Sequence, residues 1–160
     1  MKRILLLLAV AILPVVPLRS DPEGAPKRDP AAAKLLADRA AAELLSENGD
    51  VRSRAGQALV RGMPANEEVF EALILHADPH VREYAISLAG NLGAAGERLV
   101  PAILKVLADP DDVSRWRAAY ELGRIGPAAK EAAPELVRQM LDPSFRNQVA
   151  ATWAVAALDL

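Results

Sequence analysis

Shifted by 33 residues against itself, the second half of the chain lays apolar residue on apolar residue and turn residue on turn residue without a gap. Ala89 falls on Leu122, Leu92 on Ile125, Ile103 on Leu136 and Leu107 on Met140. In the same register Ala85 meets Ala118, Gly90 meets Gly123, Gly93 meets Gly126, and Pro101 meets Pro134. Asp109-Pro110 then falls on Asp142-Pro143. A fixed period of this length is the mark of stacked supersecondary units. Upstream the register continues with short slips. Val51-Arg52 with Ala55 parallels Val81-Arg82 with Ala85, and Ala77-Asp78-Pro79 parallels Ala108-Asp109-Pro110.

The punctuation predicts helical hairpins. Asp followed by Pro supplies an N-cap and then a residue suited to the first helical position, so Asp78, Asp109 and Asp142 are each expected to start the first helix of a hairpin. Gly90 and Gly123 permit close packing, and Gly93 and Gly126 suit a left-handed C-cap. Pro101 and Pro134 are expected near the start of the second helices, where a missing N–H costs least. Small Ala at 85, 118 and 119 lets helices of neighbouring hairpins approach closely. Residues 30–47 read as an amphipathic capping helix, begun by Asp29-Pro30 and stopped by Asn48-Gly49.

Composition sharpens this picture. Hydrophobic residues make up 52% of the chain but aromatics only 4%, so the apolar content is Ala and Leu, which favour helix over sheet. Without cysteine, disulfides, thiolate metal sites and thiol nucleophiles are excluded.

Residues 1–20 (MKRILLLLAVAILPVVPLRS) pair a basic start, Lys2 and Arg3, with an apolar run from Ile4 to Val16. That run suits a signal-peptide core better than a bilayer span. No small-x-small triplet precedes Ser20, so an uncleaved N-terminal anchor stays open beside the signal peptide. Either places the body outside the cytoplasm, in the periplasm or the extracellular space. Residues 21–29 read as a linker rich in Pro and charge, and 30–160 as the folded domain. Beyond Ser20 the chain has 16 basic and 21 acidic residues. That acidic balance argues against nucleic acid as the partner, because phosphate binding needs a basic face.

The segments VREYAISLAGNLG (81–93) and RAAYELGRIGPAAKEAAPELVRQMLDP (117–143) resemble the HEAT repeat family, in the short HEAT-like form of the phycobilin lyases. The resemblance covers residues 78–158 and extends more loosely over 50–77, while 30–47 match no repeat. It implies an all-α fold, a short right-handed α-solenoid of helical hairpins, and a scaffold that binds protein. A fold alone does not carry a function. In such stacks the second helices line the concave face. Here they offer Glu97, Arg98, Lys105, Glu131, Glu135, Arg138 and Gln139, mixed charge that suits a protein surface.

Three constellations compete for chemistry. His76 and His80 flank Asp78, but Pro79 separates them, and turn residues at a repeat junction are the simpler reading beside a metal cluster. Arg82, Arg115 and Arg146 recur near first-helix starts. They read either as an anion-binding row or, preferably, as structural arginines pairing with Asp78, Asp109, Asp112 or Asp142. Trp116 and Tyr120 read as inter-repeat core. Neither a His-Glu-x-x-His motif, a nucleophile elbow nor a phosphate-cradling loop is present. No catalytic residue, metal or cofactor is expected.

The last predicted helix carries Phe145, Val149, Trp153, Val155 and Leu158, with no second helix after it. Solenoids need a polar outer cap, and an uncovered apolar face marks an association surface. Intramolecular packing is the alternative. The sequence thus predicts an exported, non-catalytic interaction module. Its candidate contact residues are Phe145, Val149, Trp153, Leu158, Arg98, Lys105 and Arg138, and its partner is another protein or a second copy. Membrane contact is expected only through an uncleaved N-terminal segment. A chromophore lyase-like enzyme or small-ligand-binding relative is the alternative function, and a non-repeat helical bundle the alternative fold.

Overall fold

A computed structural model describes residues 30–159; the expectations for the signal segment and linker lie outside the described residues. The chain forms α1 (Pro30–Leu44), α2 (Gly49–Arg61), α3 (Glu67–Ile74) and α4 (Pro79–Asn91), followed by a 3-10 turn over Gly93–Leu99 that leads into α5 (Val100–Val106). Then come α6 (Asp112–Ile125), a second 3-10 turn over Gly126–Ala132, α7 (Ala133–Gln139) and α8 (Phe145–Ala157). No strand occurs among the described residues. The helices lie in two layers. In one, α4 packs on α6 and α6 on α8, with α2 at the edge; in the other, α1 packs on α3, and α3 on α5 and the 3-10 turn before it. This is an α-solenoid.

Between the layers runs one continuous core. Phe70, Leu73, Ile74, Ile86, Leu99, Ile103, Leu107, Leu122 and Leu136 are shielded from solvent, interleaved with Ala85, Ala89, Ala118 and Ala119. Truncating any one of these leucines or isoleucines to Ala would cost about 2–5 kcal/mol. The alanines have the complementary role of bringing helix axes close.

The helix boundaries follow the sequence in part. Asp78 N-caps α4, its carboxylate accepting the His80 amide at 2.8 Å, with Pro79 in the first turn. Gly93 and Gly126 both adopt the positive φ expected of them, but Gly126, at φ 74° and ψ −145°, lies outside the left-handed helical region. Pro101 and Pro134 stand in the first turns of α5 and α7.

Asp109 and Asp142, however, are not the N-caps. Those are Asp111 and Ser144, two residues later. Each upstream aspartate instead closes a side-chain turn, Asp109 Oδ1 accepting from the Asp111 amide and Asp142 Oδ1 from the Ser144 amide, both at 2.8 Å. With α4, α6 and α8 starting at 79, 112 and 145, the 33-residue period places Asp111 and Ser144 on Asp78, and Asp109 and Asp142 on His76. Asn48-Gly49 likewise does not stop α1, which has ended at Leu44. Asn48 caps α2 by accepting the Asp50 amide at 2.9 Å.

A ladder of arginines ties the repeats together. In α4 and α6 an arginine turns back to the preceding loop. Arg82 donates to the carbonyls of His76 and Ala77, both at 2.9 Å. Arg115 donates to those of Asp109 (2.8 Å) and Pro110 (3.0 Å). Their remaining nitrogens reach forward: Arg82 lies 3.4 Å from Asp109 and Arg115 3.0 Å from Asp142. The structural role expected for these two arginines holds. Arg146 has a different place, over the Trp116 ring, and the ladder position in α8 is taken by Gln148, which donates to the Asp142 carbonyl at 2.8 Å.

Candidate functional site

Four of the nine large hydrophobic side chains exposed among the described residues, Leu141, Phe145, Val149 and Trp153, lie on or just before α8. Asn147, Ala150, Ala151 and Ala154 are buried along one side of the helix. At 100° per residue the opposite side carries Phe145, Val149, Thr152 and Ala156, with Trp153 beside them. Phe145 is 77% exposed, Val149 51% and Trp153 43%, and Leu141, one turn upstream of Phe145, is 85% exposed. The helix holds no acidic residue, and Arg146 is its one basic residue.

The repeat explains what this face is built for. Val149, Thr152, Trp153 and Ala156 stand 33 residues after Trp116, Ala119, Tyr120 and Gly123. Those four belong to α6, the helix packed against α8. Tyr120 stacks on the Trp153 ring at 4.9 Å between centroids, and Trp116 stacks on Tyr120 at 5.9 Å. Gly123 lies directly under the indole: a Cβ there would meet ring carbon Cε3 at 2.8 Å and the Ala154 Cα at 2.9 Å. The α8 face therefore repeats the stacking positions that α6 uses to receive α8, without a helix upon them in the described chain.

Trp116, Tyr120 and Trp153 form a continuous aromatic row, each neighbouring pair worth about 0.5–1.5 kcal/mol beyond burial. The guanidinium of Arg146 lies 4.1 Å and that of Arg117 4.4 Å from the Trp116 ring centre. The expectation that Trp116 and Tyr120 are inter-repeat core is met in part: they bridge repeats, but Trp116 is only half-buried and Tyr120 is 36% exposed. Trp153 lies one 33-residue period after Tyr120, and the stack between them forms only once α8 packs on α6.

Of the expected contact residues, Phe145, Val149 and Trp153 share the exposed face. Leu158 does not. It is 1% exposed and packs in the core, because it lies a full turn beyond Ala154 on the buried side. Lys105 and Arg138 are exposed at equivalent positions one repeat apart in the other layer, on α5 and α7. Arg138 is paired with Glu135. Arg98, on the 3-10 turn before α5, reaches Glu67 at 3.3 Å. These basic residues form no single surface with the α8 face. Gln139, expected in the second-helix surface, is buried instead and donates to the Leu107 carbonyl at 2.8 Å.

The carboxylates of Glu121, Asp142 and Asp111 are occupied structurally. Glu121 is buried beside Gly90, with Arg124 at 3.0 Å and Arg117 at 3.6 Å. Burial raises its pKa, a shift partly offset by Arg124, Arg117 and a hydrogen bond to Ser87. At Asp142 burial also raises the pKa, but the Ser144 amide, Asn147 and Arg115 outweigh it, and the net shift is downward. Asp111 is lowered chiefly by the Ser114 hydroxyl, which donates to it at 2.6 Å. His76 Nδ1 accepts the Asp78 amide at 3.0 Å, the turn role expected of it. Among the described residues no group of three or more His, Asp or Glu is arranged to hold a metal ion.

Residues 66–159 match the family model for HEAT repeats. Among solved structures, the crystal structure of an engineered protein, a structural genomics consortium target, superposes with a TM-score of 0.52. It is 19% identical, and the match covers 82% of this chain and 67% of that one. At that identity the likeness is one of fold. No curated protein matches the chain.

Proposed function

Since the chain belongs to the HEAT repeat family, we propose that it is an exported, non-catalytic protein–protein interaction module whose main contact surface is the outer face of α8. The carrying observation is the repeat equivalence: Val149, Thr152, Trp153 and Ala156 stand where Trp116, Ala119, Tyr120 and Gly123 receive a packed helix. A face made for helix stacking and left 43–77% exposed at its large side chains fits a partner's apolar helix. The family supports this role, since stacked HEAT hairpins bind proteins by shape and surface. Export rests on the basic-then-apolar character of residues 1–20. The non-catalytic reading is supported by the occupation of Glu121, Asp111 and Asp142 in caps and ion pairs.

The test is co-purification of the tagged full-length protein from its native cell envelope, beside Phe145→Asp and Val149→Glu. Both positions are more than half exposed, so both variants keep the fold. A stoichiometric partner retained by the parent and lost by both variants supports the reading. A partner bound equally by all three, or a preparation containing the chain alone at monomer mass, overturns it; a dimer lost in both variants makes a second copy the occupant. N-terminal sequencing of the purified chain tests export: a start beyond Ser20 marks a cleaved leader.

A further inference from the structure

The first-helix layer is unevenly packed. Helix α4 lies closely along α6 and α6 along α8, but α2 touches α4 far less. Two adjoining clefts open there, both lined by Arg52 and Tyr84. One, of about 400 Å³, is lined further by Val60, Leu88 and Arg61 and by no acidic side chain, while the other also holds Glu47, Glu83 and Arg117. The first has the size of a small-ligand site.

The ladder shows what is missing. Arg52 holds the carbonyls of Ser46 and Glu47 through Nη1, as Arg82 and Arg115 hold theirs. Arg82 and Arg115 then turn their remaining nitrogens to Asp109 and Asp142. At the corresponding place before α4 stands His76, which has no carboxylate. The polar neighbours are absent too. Ser114 donates to Asp111 and receives Arg82, and Asn147 donates to Asp142, but the equivalent residue in α4 is the apolar Val81. Among the described residues, Nε and Nη2 of the half-buried Arg52 meet neither an ion-pair partner nor a hydrogen-bond acceptor.

We infer that this cleft is a binding site for a carboxylate carried on a short apolar body. The carboxylate docks on Arg52 as Asp109 and Asp142 dock on Arg82 and Arg115, and the apolar portion lies against Val60, Leu88 and Tyr84. Arg61 adds a second positive charge at the cleft. A planar guanidinium with two free donors recognises a carboxylate in preference to an amide of the same shape. An acidic side chain of a partner protein and a free small carboxylic acid share this chemistry. The site is separate from the α8 face, so either can fail without the other.

The test is titration of the ¹⁵N-labelled full-length protein with acetyl-Leu-Glu-amide, acetyl-Leu-Gln-amide and 4-methylpentanoate. The glutamate peptide or the free acid is expected to shift the Arg52 side-chain and Gly56 amide signals, and the glutamine peptide to bind roughly tenfold more weakly. Tighter binding of the peptide points to a protein source, and tighter binding of the free acid to a small molecule. Arg52→Gln should abolish the response. Because Arg52 also holds its loop, Gln57→Glu provides a second variant: at this exposed position it gives up only the 3.3 Å hydrogen bond from Nε2 to Ser53 Oγ, keeps an oxygen for Arg61, puts a negative charge at the cleft, and should weaken binding several-fold. Arg54→Gln, outside the cleft, should bind as the parent does. Equal binding of the two peptides, binding by neither carboxylate, or an unchanged response in both Arg52→Gln and Gln57→Glu overturns the inference.

Discussion

Arg115 and Asp142 are joined across the boundary between successive repeats: Nε of the arginine lies 3.0 Å from Oδ2 of the aspartate, with both side chains largely shielded from solvent. The same guanidinium holds two carbonyls of its own loop, and the same carboxylate holds the Ser144 amide and Asn147 Nδ2. One ion pair therefore fixes two loops and the start of α8. A buried pair is costly to break because the partner left behind is unpaired. Asp142→Ala is expected to lose about 3 kcal/mol in urea unfolding; a loss below about 1 kcal/mol would show that solvent substitutes for the carboxylate.

The same carboxylate sets an acid limit. Its folded pKa lies below the ordinary aspartate value of 3.8. Between the two values the unfolded chain binds the proton and the folded chain does not, so stability is held above pH 3.8 and falls as pH drops through the folded value. Asp142→Asn should therefore narrow its stability gap to the parent as pH falls through that window, and a gap unchanged by pH would contradict it.

The two-layer helical fold and its period were legible because glycine, proline and alanine recur at 33 residues, and each has a backbone reason to be where it is. The positive φ of Gly93 and Gly126 and the first-turn places of Pro101 and Pro134 followed from such reasons directly. What misled was the Asp-Pro pair. It reads as a helix start, yet the local turn that Asp109 and Asp142 form with the amide two residues on is equally available, and it moves the helix start two residues later. The shared Asp-Pro pair makes Asp78 look equivalent to Asp109, whereas by helix start Asp109 corresponds to His76, where the ladder has its gap. Phe145, Val149 and Trp153 were found by helical spacing, but Leu158 sits on the buried side of the same helix, and composition alone gave it no different character.

Glu121 predicts a pH effect of opposite sign. Gly90 makes room for it: a Cβ there would lie 2.9 Å from the Glu121 Cβ and Cδ. Buried in that space, Glu121 has a folded pKa above the ordinary 4.5. In the interval above 4.5 the folded chain keeps a proton that the unfolded chain releases. Its stabilising contribution is thus full below pH 4.5 and lost as pH rises through the folded value. Denaturation of the parent and Glu121→Gln at several pH values should show the parent losing ground to the variant as pH rises above 4.5; a constant difference would count against this.

Gly123 predicts a packing effect. Its replacement by Ala places a methyl against the Trp153 indole and within 2.9 Å of the Ala154 Cα, where the stacked Tyr120 limits movement of the ring. The variant is expected to lose about 2 kcal/mol, as over-packed contacts do. Trp153→Ala in the same background should recover part of that loss, because it removes the ring but not the Ala154 backbone. A double-mutant cycle in thermal unfolding measures the coupling. Additive losses would show that the indole moves aside freely.

Completing the ladder is the most direct test of the repeat alignment. At Asp109 and Asp142 one carboxylate oxygen takes the amide two residues on, and the other takes the arginine of the previous repeat. His76 already takes the Asp78 amide through Nδ1 at 3.0 Å. His76→Asp therefore keeps the first contact and directs a new oxygen toward Arg52. The expected gain is about 1 kcal/mol, or about 3 °C in melting temperature. It should vanish when Arg52 is also changed to Gln, since the new carboxylate then has no cation to meet. The internal carboxylate should also compete with acetyl-Leu-Glu-amide at the α2–α4 cleft. A gain that persists without Arg52 would assign the effect to the turn rather than to the ladder. A stability loss rescued by Arg52→Gln would mean that α2 lies too far from α4 for the pair to close.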